Sequence, residues 1–305
     1  MKLLKHPEIL AKLREGIPVP ISLQVAPTSR CNLKCNFCSN VNRTSQEDLS
    51  CDDLTKALVT FKKLGLKTVE WTGGGDPTLY AKIQYMMLFS SELGFEQGFI
   101  TNGVALWDAY REHPAAFNKL TWLRISMNCL DYVQDIRIPF LGWKTVLGFS
   151  YVMNSLTTVE TFRRLHEYVK EYKPEYVRIV PDCQTSQEEQ ERNNEKYSRI
   201  FKNFGKPYFY QAKSFKTHTF CYWGYYKPFL LHNGYVYPCS SVVLNEGADR
   251  QFHDKYKWYH ISQIKKIYSE KMVSFPAHNC SHCVFEPQNT AIQLTLENTR
   301  MDNFL

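Results

Sequence analysis

Short apolar runs typical of β-strands recur along the first 180 residues, and helical patterns lie between most of them. The predicted strands cover 21–25, 68–71, 97–100, 122–126, 145–153 and 176–180. The predicted helices cover 7–14, 52–63, 82–93 and 159–172. Strands and helices in alternation predict parallel βα units joined by right-handed crossovers. Six units are fewer than the eight of a closed barrel, so they fit an open doubly wound sheet or a partial barrel.

Two stretches depart from the alternation. Residues 137–140 include a proline and interrupt any long helix between the fourth and fifth strands, so that crossover should be atypical. The polar, acidic stretch 184–195 predicts a solvated helix or a linker, and the chain beyond it is rich in turns. We therefore predict four parts: an N-terminal helical extension (1–19), a βα domain (20–185), a linker or helical bridge (186–218) and a small cysteine-rich α+β domain (219–305).

Composition narrows the class of protein. The chain has 305 residues, of which 44% are hydrophobic and 22% charged, as in globular proteins. Its longest apolar run, 85–89, is too short to span a membrane, and the first residues lack a signal-peptide core. We expect a soluble cytoplasmic protein with no membrane partner. The ten cysteines should then stay reduced, so clusters among them indicate metal binding.

Three cysteines follow the first predicted strand directly. Cys31, Cys35 and Cys38 share one loop at the carboxyl end of that strand. Structural zinc usually takes four protein ligands, whereas three thiolates on a four-iron cluster leave one iron free for another ligand. A metal with an open coordination position indicates a catalytic site rather than a structural one. The alternative is a zinc knuckle completed by Cys51 or by a distant ligand.

The C-x3-C-x2-C spacing, with Phe37 before the last cysteine, resembles the signature loop of the radical S-adenosylmethionine (SAM) superfamily. The resemblance implies a partial (β/α)6 barrel of the TIM type and a [4Fe-4S] cluster whose free iron binds the amino and carboxylate groups of SAM. It also implies that an electron from the cluster cleaves SAM to a 5′-deoxyadenosyl radical, which abstracts hydrogen from the substrate. An electron donor such as flavodoxin or ferredoxin would reduce the cluster.

The predicted SAM contacts lie mostly at or just past strand ends, where ligands collect in βα folds. Residues 72–77, Thr-Gly-Gly-Gly-Asp-Pro, resemble the Gly-Gly-Glu-Pro stretch with which the family holds the SAM amino group. Glycines expose backbone groups to a ligand, and Asp76 keeps the charge of the family's Glu with a shorter reach. Arg178, within strand six, either reaches a carboxylate of SAM or substrate or points outward. The predicted cofactor-binding residues are Phe37, Gly73, Gly74, Gly75, Asp76, Asn102, Ser126, Asn128 and Arg178.

Four later cysteines form a second group. Cys221-x12-Gly234-x4-Cys239 is followed by Cys280 and Cys283, a complete thiolate shell for one iron–sulfur cluster or one zinc ion. The spacing resembles the auxiliary-cluster modules of radical SAM enzymes called SPASM and twitch. Because only one further C-x2-C pair follows, the resemblance implies the twitch type with a single auxiliary [4Fe-4S] cluster. Four protein ligands would close that cluster, which favours electron transfer or substrate orientation.

Cys183 and Cys129 lie just past strands six and four, near the proposed radical, and are the candidate catalytic residues. A thiol there would donate hydrogen to a product radical. The alternative is that both are small buried hydrophobic residues. Cys51 opens a predicted helix and is assigned a structural role.

The net charge of +7 is concentrated in one segment. Residues 196–245 contain seven Lys and Arg residues, no Asp or Glu, and many aromatic residues. Such a mixture neutralises phosphates and stacks bases, although lysines on a surface over an aromatic core give the same composition. We predict modification or rearrangement of a nucleotide or nucleic-acid base, including phage-type hypermodified bases. The alternatives are a radical SAM peptide-modifying maturase and a zinc-dependent nucleic-acid-binding protein.

Overall fold

Most of the described chain is built around one sheet of ten strands. The structure, a computed structural model, describes residues 5–40, 46–213, 215–241, 254–278, 280 and 283–297. The strands are β1 (Ser22–Val25), β2 (Thr68–Trp71), β3 (Glu96–Thr101), β4 (Trp122–Ser126), β5 (Val146–Met153), β6 (Tyr176–Pro181), β7 (Tyr208–Tyr210), β8 (Phe220–Cys221), β9 (Phe229–Leu230), β10 (Tyr235–Tyr237), β11 (Tyr259–His260) and β12 (Phe275–Pro276). The helices are α1 (Pro7–Arg14), α2 (Cys51–Lys63), α3 (Ile83–Glu92), α4 (Leu106–Glu112), α5 (Pro114–Phe117), α6 (Val159–Tyr172), α7 (Gln187–Phe204), α8 (Trp223–Tyr226), α9 (Ile264–Ser269) and α10 (Glu286–Leu296).

Strands β1 to β7 run parallel and lie side by side in chain order. Leu23 of β1 lies opposite Val69 of β2, and Phe149 of β5 lies opposite Val177 of β6. Helices occupy most of the crossovers between these strands. The prediction of an α/β fold built on a partial barrel is confirmed.

The sheet extends past the six predicted strands at both edges. The polar stretch around 184–195 forms the start of α7, which leads into β7 beside β6, so the βα alternation continues for one more unit. At the other edge, β9 pairs in parallel with β1, and β10 and β11 continue antiparallel. Strands of two or three residues carry too little periodicity for the sequence to reveal them.

Side-chain caps show why the longer helices begin where they do. The Ser50 hydroxyl accepts the Asp53 N–H at 3.3 Å at the start of α2, and the Thr158 hydroxyl accepts the Thr161 N–H at 3.1 Å at the start of α6. Between β4 and β5 the described chain has a 3-10 turn, Met127–Asp131, and no α-helix, as the sequence predicts. None of the helices within the described ranges is both long and apolar enough to cross a membrane.

The two faces of the sheet differ in polarity because side chains alternate along each strand. Leu123, Ile125 and Val177 are buried in the hydrophobic core. The intervening positions, on the inner face of the partial barrel, carry a polar set that includes Gln24, Glu70, Arg124, Ser150 and Arg178. The inner face therefore carries charged and polar side chains among apolar ones, since Ile100, Trp122 and Tyr176 lie on the same face.

Candidate functional site

The first cysteine group lies on the loop after β1. The side chains of Cys31, Cys35 and Cys38 are all partly exposed, and Phe37 among them is partly buried. The Cys38 N–H donates to the Cys35 carbonyl oxygen at 3.1 Å, and the Asn40 N–H donates to Cys38 Sγ at 3.4 Å. The loop thus presents three thiols within eight residues, each accessible to a ligand.

Hydrogen bonds attach this loop to the ends of distant strands. The Asn36 N–H donates to the hydroxyl of Tyr132, past β4, at 3.0 Å, and the Asn36 side chain donates to Ser155, past β5, at 2.7 Å. Gln184, past β6, donates to the Cys38 carbonyl oxygen at 3.3 Å. These contacts hold the cysteine loop across the mouth of the barrel.

Asn102 attaches the start of the loop to β3. Its Nδ2 lies 3.6 Å from Cys31 Sγ and donates to Asn32 Oδ1 at 2.7 Å. Its Oδ1 accepts the Val104 N–H at 2.9 Å, which fixes the orientation of the amide. The side chain of this predicted SAM contact thus reaches the Cys31 thiol, and hydrogen bonds to cluster sulfurs help to set a reduction potential.

The glycine segment after β2 packs directly against the chain that leads into the cysteine loop. Gly75 and Asp76 donate their N–H groups to the carbonyl oxygens of Thr28 and Arg30 at 2.8 and 2.7 Å. A Cβ on Gly75 would lie 2.6 Å from the Ser29 carbonyl carbon and closer still to the Arg30 oxygen. The sequence predicts that these glycines expose backbone groups to a ligand. At Gly75 the structure instead uses the missing side chain for close backbone packing.

The other two glycines differ from Gly75. Gly74 is buried, and its carbonyl oxygen accepts the Asn40 side-chain amide at 2.9 Å. Gly73 is partly exposed, and a Cβ there would overlap the carbonyl oxygen of Gly75 in the same segment. Within the segment, Gly73 is therefore the better placed to offer its backbone to a ligand.

The carboxylate of Asp76 points into the protein and is only 3% exposed. Oδ1 accepts the Thr78 N–H at 3.0 Å and the Thr101 hydroxyl at 2.9 Å, and Oδ2 accepts the Asn102 N–H at 2.7 Å. The side chain therefore joins the ends of β2 and β3 and positions Asn102. Its hydrogen-bonding capacity is directed at the protein rather than at a ligand.

The remaining predicted contacts separate into rim and core positions. Ser126 ends β4 and is partly exposed. Asn128 is 1% exposed. Its amide oxygen accepts the Val152 N–H at 2.7 Å and its amide nitrogen donates to the Val152 carbonyl at 2.9 Å, so it links β4 to β5 rather than facing the barrel mouth.

Of the two candidate catalytic thiols, Cys183 is partly exposed beside the cysteine loop, 3.6 Å from the Ser39 hydroxyl. Cys129 is 1% exposed, so its thiol is buried, although it lies close enough to Cys35 to interact with it electrostatically.

Arg178 points into the barrel, where a second arginine lies nearby. The register places Arg124 beside Gly148 and Arg178 beside the next residue of β5 on the same face. Nε of both guanidinium groups is buried without a hydrogen-bond partner among the described residues, and Arg178 Nη1 donates to Gln211 at 3.3 Å. Burial, together with the nearby positive charge of Arg124, lowers the pKa of Arg178 to about 10. Register and burial therefore place Arg178 on the inner face of the barrel.

The second cysteine group surrounds one cavity. The cavity is partly open to solvent. Its lining includes all four predicted ligands, Cys221, Cys239, Cys280 and Cys283. Burial raises the pKa of Cys221 to about 11 and also raises the pKa of the Cys280 and Cys283 thiols. Metal binding there would therefore have to displace protons from the sulfurs.

Both cysteine groups fit iron–sulfur clusters. Among the described residues, no three His, Cys, Asp or Glu side chains converge closely enough to bind a single metal ion. A [4Fe-4S] cluster does not need that convergence, because each thiolate binds a different iron.

The basic, aromatic segment is mostly committed to the protein's own structure. Its buried aromatic residues include Phe201, Tyr208, Tyr225 and Tyr226. Its salt bridges include Arg199–Glu195 at 2.6 Å, Lys216–Glu286 at 4.0 Å and Lys227–Glu70 at 2.7 Å. The structure favours the alternative in which this composition reflects packing and surface charge.

Sequence reasoning missed the polar side chains that reach the thiols from distant positions. Tyr132 reaches the first cysteine group, and Asn289 of α10 reaches two sulfurs of the second. The only local signal is that Asn289 follows Cys283 by six residues, early in a helix. An amide at such a spacing has no distinctive pattern in a single sequence.

Known proteins resemble this chain in sequence and in fold. The PqqA peptide cyclase of Methylorubrum populi is 34% identical over 162 residues, 46% of this chain and 39% of that protein. The probable GTP 3′,8-cyclase of Archaeoglobus fulgidus is 30% identical over 115 residues, 37% of each chain. The structure of Streptococcus suis SuiB bound to precursor peptide SuiA aligns with a TM-score of 0.56 and 17% identity, covering 84% of this chain and 69% of that one.

The sequence relatives are matched only in part, since the chain spans about a quarter to two fifths of their lengths. A family model described as "Radical SAM superfamily" matches residues 25–180, which are 156 of the 305 residues. The matched range contains the cysteine loop, the glycine segment, strands β2 to β5 and most of β6. Enzymes of this family use a [4Fe-4S] cluster and SAM. The chain belongs to the radical SAM superfamily.

Proposed function

We propose that the chain binds a [4Fe-4S] cluster through Cys31, Cys35 and Cys38 and abstracts a hydrogen atom from a nucleotide or nucleic-acid base. The observation that carries the proposal is a loop of three partly exposed thiols held across the mouth of the barrel. The cluster, when bound, supplies the electron that cleaves SAM reductively. Three thiolates leave its fourth position to SAM.

The surrounding residues hold this arrangement in place. Asn102 donates toward Cys31 Sγ, and Asp76 fixes Asn102 through its backbone N–H. Tyr132 accepts from the loop backbone at Asn36 and so holds the middle of the loop. Rigid support of this kind keeps a reacting group and its substrate in one geometry, which is a large part of catalysis.

The charge inside the barrel supports an anionic substrate. Glu70, the acid on the inner face of β2, is already paired with Lys227 at 2.7 Å and with Gln24 at 3.0 Å. Arg124 and Arg178 have no carboxylate among their described hydrogen-bond or ion-pair partners, and a guanidinium in a buried site binds phosphate strongly. The phosphate of a nucleotide matches this excess of positive charge. The partial relative named as a GTP cyclase also supports a nucleotide.

A peptide is the second candidate substrate. It is favoured by the partial sequence relatives named PqqA peptide cyclase, which match up to 46% of this chain. An acidic peptide side chain would satisfy the same arginines. The auxiliary cluster proposed for the second cysteine group serves either substrate, by electron transfer or by orienting it.

Anaerobic reconstitution tests the chemistry. The wild-type chain should bind iron with the visible absorbance of an iron–sulfur cluster and release 5′-deoxyadenosine when reduced with dithionite in the presence of SAM. Cys35→Ala should abolish that release. Cys51→Ala is the matched control and should keep it, because Cys51 bonds Met86 in the core. Stoichiometric zinc without iron, or full activity of Cys35→Ala, would refute the proposal.

Equilibrium dialysis of the anaerobic holoprotein tests the substrate. Nucleoside 5′-phosphates should bind more tightly than the matching nucleosides. Arg178→Gln should weaken phosphate binding by roughly 10- to 100-fold, since a charged hydrogen bond contributes about 1.5–3 kcal/mol. Arg163→Gln, on the outer surface of α6, should change nothing. Binding of acidic peptides but not of nucleotides would replace the first candidate with the second.

A further inference from the structure

Asn289 lines the cavity of the second cysteine group and has no exposed surface. Its Nδ2 is 3.6 Å from Cys221 Sγ and 3.6 Å from Cys283 Sγ. A side-chain amide carries two N–H donors, so it can direct one to each sulfur. These sulfurs come from segments about sixty residues apart in the chain, and Asn289 bridges them.

The orientation of the amide is fixed by the backbone. Asn289 Oδ1 accepts the N–H groups of Tyr222 and Trp223 at 3.0 and 3.1 Å. Because both groups are donors, the oxygen must face them and the nitrogen must face the sulfurs. A flipped amide would place donors against donors and leave both sulfurs without a partner from Asn289.

We propose that Asn289 is a positioning residue for the auxiliary cluster: it donates an N–H···S bond to each of two cluster thiolates and raises the reduction potential of that cluster. The inference rests on the proposed auxiliary cluster. On reduction, the cluster gains one electron from an external donor, [4Fe-4S]²⁺ to [4Fe-4S]⁺, and no proton or covalent bond is exchanged.

The cavity makes these two bonds effective. Its lining includes apolar side chains from Pro238, Phe275, Ala277 and Val284. In such surroundings a charge on sulfur is poorly screened, so each N–H dipole directed at it counts for more than it would in water. Donors directed at the sulfurs stabilise the more negative, reduced cluster and so raise its potential.

The test uses the full chain with Cys31, Cys35 and Cys38 all changed to Ala, so that the auxiliary cluster is the one that remains. Its midpoint potential is measured in a dithionite titration followed by electron paramagnetic resonance. Asn289→Leu removes both donors, whereas Asn289→Asp removes them but keeps an acceptor for the backbone N–H groups. Gln293→Leu is the matched control, one turn further along α10, where the amide bonds only Glu297 among the described residues.

Both Asn289 variants should shift the potential to more negative values, and the control should match the parent. An unshifted potential in an Asn289 variant that carries its full iron would overturn the proposal. A second readout needs no Asn289 variant: in the parent labelled with ¹⁵N at asparagine side-chain amides, the reduced cluster should show coupling to one such nitrogen. Absence of that coupling would also overturn it. A parent that binds no iron would instead refute the auxiliary cluster itself.

Discussion

Replacing Asp76 with Asn tests whether this carboxylate holds the rim of the barrel. Its two oxygens accept the Thr78 N–H at 3.0 Å and the Asn102 N–H at 2.7 Å, together with the Thr101 hydroxyl. An Asn side chain has one acceptor oxygen, so in either orientation one backbone N–H faces an NH₂ group. Leaving a buried donor unsatisfied costs about 1–3 kcal/mol. We therefore expect Asp76→Asn to lose roughly 2 kcal/mol, about 30-fold in the folding equilibrium.

Urea unfolding of the anaerobic protein, followed by circular dichroism, measures this loss as a lower midpoint at unchanged slope. Release of 5′-deoxyadenosine should fall as well, because Asn102 loses the bond that positions it beside Cys31. Glu160→Gln is the control; its carboxylate is exposed on α6 and pairs with Arg163, so the midpoint should not change. An Asp76→Asn protein that unfolds at the wild-type urea concentration would refute this account.

Three further predictions concern other parts of the molecule. Gly75→Ala forces a Cβ into backbone atoms and should lower stability by about 1–3 kcal/mol in urea unfolding, whereas Gly74→Ala meets its neighbours at 3.4 Å and should cost less; equal losses would contradict the packing argument. Burial raises the pKa of Tyr208 from 10.0 to about 12, so its contribution to stability is complete below pH 10 and is lost as the pH rises toward 12. The stability advantage of wild type over Tyr208→Phe should therefore shrink by roughly 2–3 kcal/mol across that range, and a constant difference would count against it. Replacing both Cys280 and Cys283 with Ala leaves two of the four thiols of the second group and should lower the iron content from about eight to about four atoms per chain; an unchanged content would exclude this pair as ligands.

The polar stretch 184–195 shows why sequence alone gave an incomplete account of the fold. Its composition indicates a solvated helix, and α7 is one. Whether a parallel strand follows depends on whether Tyr208 to Tyr210 pair with β6, and three residues carry no period that reveals this. The same reason hides β9, which pairs with β1 at the other edge of the sheet.

The candidate site divides in a similar way. The spacing of Cys31, Cys35 and Cys38 along the chain is enough to identify the first group. These cysteines share one short loop, so residues close in sequence are also close in space. The direction of the Asp76 and Asn128 side chains does not follow from spacing. Both lie at strand ends, where ligands are expected, yet both bond the protein because polar partners on neighbouring strands lie within reach.

By itself, the sequence determined the alternation of strands and helices and the two sets of thiols, because periodicity and ligand spacing are local properties of the chain. Only the tertiary structure decided that Arg124 and Arg178 share the inside of the barrel and that Asn289 lies between two sulfurs. Such contacts join residues far apart in the chain, and they exist only once strand register and helix packing have fixed which side chains meet.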